Sequence, residues 1–195
     1  EELGLKIVLC IEQHGNFQPE GGEIGLWPKH PYNSANSGPC RNVGEFFTSP
    51  EARRLFRNRL RYLVARVGHS TALMAWELFN EVEWVPYRWG EQERHRQRVL
   101  AWHVEMAREL RRTDPFGHLV LTSSDPFLQQ ALAEREAIDL IQLHIYSEHH
   151  LAKEIAEQLA AWREAFELPI VVAEYGLKKR QEESCGWLTE GLYAA

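Results

Sequence analysis

Trp76-Glu77-Leu78-Phe79-Asn80-Glu81-Val82 closes an apolar run that begins at Leu73, with turn and helix signals on either side. A short run of this kind reads as a buried strand, most easily a parallel one. Its last residues, Asn80 and Glu81, are polar. Glutamate is mostly an exposed residue, so a surface loop is one reading of Glu81. A second stretch, Pro169-Ile-Val-Val-Ala-Glu174-Tyr175-Gly176, repeats the pattern of an apolar strand ending on a glutamate. In parallel α/β sheets ligands bind outside the carboxyl ends of the strands, so two such glutamates form a candidate site.

The rest of the chain sets the frame. Its 195 residues are 44% hydrophobic, 26% charged and 11% aromatic, enough apolar material for one core, and the expectation is a single domain over 1–195. A net charge of −6 argues against nucleic acid as a partner and against a polybasic membrane patch. No apolar run approaches the roughly 20 residues of a membrane span. Glu1-Glu2-Leu3-Gly4-Leu5 reads as the tail of a helix feeding a strand, so the expectation is a chain that begins inside a domain, with any targeting segment upstream. The three cysteines, Cys10, Cys40 and Cys185, lack metal-ligand spacing and permit at most one disulfide; Cys10, in an apolar strand, reads as a small core residue.

Taken in order, Lys6–Ile11 is a strand leading through Glu12-Gln13-His14 into a connection without periodicity from about Gly15 to Thr48. A loop of that length is functional or disordered, and its aromatics, Phe17, Trp27, Tyr32, Phe46 and Phe47, argue for function. Either they stack on sugar rings at a cleft rim or they anchor the loop. Ser49-Pro50-Glu51 starts a helix that runs to Gly68, with Ala52, Leu55, Phe56, Leu60, Leu63, Val64 and Val67 at helical spacing. Arg53, Arg54, Arg57, Arg61 and Arg66 fall elsewhere and read as a solvated face. A loop with Glu83, Trp84, Tyr87 and Trp89 precedes a helix from about Gln92 to Arg112, on whose core side His103 reads as a packing histidine, and Asp114-Pro115-Phe116-Gly117 breaks it. Then follow a strand at His118–Thr122, a helical turn from Phe127 to Arg135, and a strand from Ile138 to Tyr146, with His144 and Tyr146 on one face. A helix carrying Leu151, Ile155, Leu159, Trp162 and Phe166, the Glu174 strand, and the opening of a helix at Gln181–Ala195 complete the alternation. Strand and helix in alternation call for a parallel sheet with right-handed crossovers.

Two glutamates, 93 residues apart and separated by two strand–helix units, can converge across the mouth of a (β/α)8 barrel. Paired carboxylates serve glycosidic bond cleavage, one protonated to donate to the leaving oxygen and one ionised to attack the anomeric carbon. On these residues the chain resembles glycoside hydrolases of family 5, cellulase- and mannanase-like, and the wider clan of (β/α)8-barrel retaining glycosidases. In that group Asn-Glu ends the fourth strand and a glutamate ends the seventh. Counting the Trp76 stretch as strand four makes His118–Thr122 five, Ile138–Tyr146 six and Pro169–Glu174 seven, with His-x-Tyr on six as in the family. Pro31-Tyr32-Asn33 and the run ending at His14 are also similar to family segments, without a fixed role.

The resemblance implies Glu81 as general acid then base and Glu174 as nucleophile, with Asn80 on the sugar 2-hydroxyl, His144 lining the same subsite, and Tyr146 donating to the nucleophile and holding it ionised. His14, Trp27 and Trp84 are the further substrate-binding candidates. It implies a carbohydrate substrate, no metal and no cofactor, a monomer when complete, and a secreted or periplasmic location. Strands one, two and eight have no counterpart, so the arginine usual at strand two and the tryptophan of strand eight are missing. A barrel of this class takes roughly 250 residues, so the expectation is an incomplete (β/α)8 barrel covering about strand three to helix seven. Two other classes remain. A non-catalytic carbohydrate-binding relative would keep the aromatic cleft without turnover. A metal-dependent barrel hydrolase is prompted by nine histidines, including His144, His149 and His150, although neither a strand-opening His-x-His nor His-Glu-x-x-His is present.

Overall fold

The computed structural model describes residues 3–21, 25–85, 92–148 and 150–177. The tail at Glu1-Glu2, the loop residues Tyr87 and Trp89, His149, Cys185 and the helix expected at Gln181–Ala195 lie outside the described residues. The chain forms two compact units, Glu1–Asp139 and Leu140–Ala195.

The first unit is built on a parallel sheet in the order β1-β2-β3, with β1 at Ile7–Cys10, β2 at Leu73–Glu77 and β3 at Leu119–Leu121. Leu9 registers with Trp76 and Trp76 with Val120, so the strand read from sequence at Trp76 is the central one. Burial of Ala75 on one face and Trp76 on the other explains its near-continuous apolar run. Trp76 is fully buried and donates its Nε1 proton to Asp114 Oδ2 at 3.0 Å. Asp114 also accepts from the backbone of Phe116 and His118 and from His118 Nδ1, so the expected helix-breaking turn is held by one carboxylate. Burial opposes the charge on Asp114, but these donors outweigh it and keep the carboxyl below its ordinary pKa.

The crossovers are helical. After a short helix α1 at Gly44–Thr48, helix α2 runs over Pro50–Val67, with the Ser49 hydroxyl capping the Ala52 N–H and proline in the first turn. Helix α3 occupies Gln92–Thr113 and α4 Pro126–Ala133, capped by Asp125. Of the arginines expected on a solvated face of α2, Arg54 and Arg66 are exposed, whereas three others correct that expectation. Arg53 and Arg57 both pair with Glu105, and Arg61 with Glu109, so these side chains tie α2 to α3. Arg59 reaches the buried Glu12 and donates to the Ile11 carbonyl at 2.7 Å.

The connection over residues 15–48 is ordered by its aromatics. Short 3-10 turns at His14–Phe17, Trp27–Lys29 and Ser34–Asn36 shape it, with Phe17 beside Phe46 and Phe47 of α1, Tyr32 beside Phe46, and Trp27 against Phe17 and His30. Phe46 sits 4.7 Å from Phe17, 5.0 Å from Tyr32 and 5.4 Å from Trp102 between ring centroids, in the tilted and edge-on arrangements aromatic pairs favour. Of the two readings of these rings, anchoring describes them. Gly38 shows how tight the loop is, since a β-carbon there would meet Pro31 O and the Tyr32 carbonyl carbon at 2.3 Å. Cys40 is buried, and burial together with the Glu45 charge pushes its thiol up to about 12. Cys10, expected in the core, is exposed on edge strand β1.

The second unit pairs β4 at Ile141–Ser147 with β5 at Ile170–Leu177 in parallel through helix α5 at Leu151–Ala165. The register shifts between Leu143 and His144, after which His144 faces Glu174 and Tyr146 faces Gly176. Among the described residues no helix is long and apolar enough to cross a membrane.

Candidate functional site

In the first unit the polar residues gather where the strands end. Hydrogen bonding continues past β1 and β2, with Asn80 N donating to Glu12 O at 2.8 Å and His14 N to Asn80 O at 3.1 Å. On the opposite side Ser123 N donates to Phe79 O at 3.0 Å. Asn80 is thus gripped from the β1 side while its neighbours are gripped from the β3 side. Glu81 then turns out of the sheet in the left-handed region, at φ 52° and ψ 52°. Its N–H donates to Ser123 Oγ at 2.7 Å, and its Oε2 lies 3.3 Å from His14 Nδ1. Trp84, in the 3-10 turn Val82–Trp84 just beyond, is exposed.

Beneath this edge lies a charged group absent from the sequence reading. The Glu12 carboxylate, 2% exposed, accepts from Asn16 Nδ2 at 2.9 Å, pairs with Arg59 and lies 3.9 Å from His30 Nε2. Burial alone would raise its pKa, but His30, Arg59 and Asn16 together bring it below the ordinary value. Its backbone carbonyl is the one that holds Asn80. The signal available in sequence was a carboxylate directly after an apolar strand, the same one that drew attention to Glu81 and Glu174.

In the second unit two donors converge on one oxygen. Tyr146 OH donates to Glu174 Oε2 at 2.9 Å, and His144 Nδ1 lies 3.4 Å from the same atom. Gln142 Nε2 stands 3.1 Å from His144 Nε2, and with the amide nitrogen donating there the ring carries its proton on Nδ1, directed at Glu174. Gln142, His144 and Tyr146 alternate along β4, so one strand face supplies the whole chain of contacts. Gln142 was not singled out from sequence, although Gln-x-His-x-Tyr in an otherwise apolar strand marks that face.

The structure therefore groups Asn80, Glu81 and His14 at one strand end of the first unit, and His144, Tyr146 and Glu174 at one strand end of the second. Trp27 is placed otherwise. It is buried, stacked on Phe17 at 5.8 Å and on His30 at 5.4 Å, so its ring is not presented to a ligand.

No protein-family model matches the chain, and no curated protein matches it in sequence. Solved structures of glycosidases of the (β/α)-barrel type do match in fold. The endo-β-1,4-mannanase of Thermotoga petrophila shares 19% identity at a TM-score of 0.66, over 90% of this chain and 43% of its own. A hyperthermophilic β-glucosidase mutant shares 12% at a TM-score of 0.69, over 99% of this chain and 57% of its own. The β-glucuronidase of Ruminococcus gnavus shares 14% at a TM-score of 0.53, over 95% and 34%. The chain spans about half the length of the mannanase and β-glucosidase it matches. At these identities the likeness is one of fold, an α/β arrangement of parallel strand–helix units.

Proposed function

We propose that the protein hydrolyses β-glycosidic bonds in an oligo- or polysaccharide with retention, as part of a (β/α)8 barrel of which this chain supplies the strand–helix units three to seven. The observation that carries this reading is the Glu174 carboxylate at the end of a parallel strand, with Tyr146 and His144 both directed at one of its oxygens. Two contacts on one oxygen fix the orientation of the carboxylate that attacks. Glu174 bonds to the anomeric carbon as the glycosidic C–O bond breaks, and Glu81 gives its proton to the departing oxygen. Water then attacks the anomeric carbon from the face the leaving group vacated, losing a proton to Glu81, and the Glu174 ester is released. Asn80 holds the sugar 2-hydroxyl in the cleaved subsite, His144 lines it, and Trp84, exposed three residues after Glu81, offers its indole for stacking on a ring. Retention by such a pair calls for carboxyl groups roughly 5 to 5.5 Å apart, a spacing that a crystal structure of the intact protein would measure.

Substitution in the intact protein separates the two roles. Glu174→Ala abolishes turnover of every substrate, because no glycosyl-enzyme can form. Glu81→Ala spares the first step on aryl β-glycosides with good leaving groups, which need little protonation, and added azide speeds the second step by replacing water as nucleophile. Equal losses on good and poor leaving groups in both variants would refute this division.

A further inference from the structure

Three described residues other than glycine have positive φ: Ser37, Glu81 and Glu136. Two of them end helical turns. Ser37 is the C-terminal cap of the turn Ser34–Asn36, and Glu136 follows α4, with its N–H on Ala133 O and the next N–H on Leu132 O. A left-handed residue is the common way to terminate a helix and recover its last carbonyls. Glu81 has no such excuse. It stands four residues past β2 and opens the 3-10 turn Val82–Trp84, to which its side chain gives no capping hydrogen bond of the kind that lets Asn or Asp tolerate this conformation. Strained backbone of this kind persists only where the surroundings over-determine it.

The surroundings here are Ser123. Two residues past β3 and 2% exposed, it holds the chain on both sides of Asn80, giving its N–H to Phe79 O and taking the Glu81 N–H on Oγ. The backbone is thereby pinned at Phe79 and again at Glu81, while Glu12 O and His14 N pin Asn80 from the other strand. The turn out of the sheet has to be made at Glu81 itself, and that turn sets where the carboxylate points. We infer that Ser123 is a positioning residue for Glu81, holding it in the left-handed conformation that aims its carboxyl at the leaving-group oxygen. The inference rests on Glu81 being the general acid of the reaction proposed above. Ser123 touches no substrate and acts only through the Glu81 backbone.

The test compares Ser123→Ala with the conservative Ser123→Thr, which keeps a hydroxyl acceptor, in the intact protein. Ser123→Ala lowers turnover of glycosides with poor leaving groups by about 100-fold, the scale of an ångström-sized misplacement, with KM little changed. Aryl glycosides with good leaving groups fall less than about threefold, because they need little protonation. Ser123→Thr restores the poor substrates. A uniform loss on both substrate types would mean general damage and would overturn the inference. A second readout does not depend on activity: in a crystal structure of Ser123→Ala residue 81 has returned to negative φ, and a retained positive φ overturns the inference outright. If the wild type cleaves no β-glycoside, the proposed reaction fails, while φ at residue 81 still decides whether Ser123 holds it.

Discussion

A β-carbon on Gly176 would lie 3.1 Å from Cε1 and 3.3 Å from Cδ1 of Tyr146, the ring whose hydroxyl meets Glu174. Glycine at this position therefore gives the tyrosine its place across the register pair, and a methyl group would push the ring away. Gly176→Ala is expected to lengthen the bond to Glu174 and to cut kcat by about tenfold or more, by analogy with other losses of preorganised donors. Thermal unfolding should change little, since the ring is partly exposed and can swing outward. An unchanged kcat would show that the tyrosine tolerates displacement. The motif Glu-x-Gly was visible in sequence, yet its glycine carried no reason there. The reason is a neighbour 30 residues earlier in the chain, and such a contact is set by strand register, which pattern alone does not give. Glu12 escaped notice likewise, because its partners Arg59 and His30 come from a distant helix and from the long connection.

Among the elements, α3 couples core packing to the site edge. His103 is wholly buried on its inner face, with Nδ1 2.9 Å from Val99 O and Nε2 3.2 Å from Thr122 Oγ1. The Thr122 hydroxyl donates in turn to Phe79 O, one residue before Asn80. Burial lowers the His103 pKa from 6.5 to about 4, against a raising contribution from the Val99 carbonyl. The unfolded chain then binds a proton that the folded one refuses between those two values. Stability from this group is complete above pH 6.5 and is lost as pH falls toward 4, by roughly 3 kcal/mol in all. Glu12, Glu109 and Asp114, whose pKa values are depressed, add losses at lower pH, beginning as pH falls through the ordinary carboxylate values and continuing below them. Denaturant unfolding at pH 7 and pH 5 should show the drop, and His103→Gln should flatten it; a drop of the same size in the variant would assign it elsewhere. The element itself was legible, since Val99, His103, Met106 and Leu110 fall on one helical face and breakers follow at Asp114. The long connection was not. Its order comes from aromatic rings packing on α1, α2 and α3, which leaves no period in the sequence.

At the scale of the whole molecule, among the described residues the sheet of the first unit has β1 at its edge, with Ile7 51% and Val8 38% exposed. From Ile7 to Cys10 no proline or charge blunts that edge. Residues 1–195 are expected to self-associate through that edge, as size-exclusion chromatography would show. A soluble monomer with sharp unfolding would mean that the edge needs no cover. The alternation of strands and helices announced the parallel architecture early, because a parallel pair needs a crossover and the crossovers here are helical, that of α2 with its start readable at Ser49-Pro50-Glu51. In the proposed reaction Glu174 forms a bond to sugar while Glu81 moves the proton. Mechanism-based trapping separates them: the intact protein is treated with an activated 2-deoxy-2-fluoro-β-glycoside of a sugar it hydrolyses, digested, and its peptides mapped by mass. One glycosyl adduct is expected, on Glu174, and water slowly releases it. An adduct on any other carboxylate, or rapid turnover with no adduct at all, would contradict this assignment.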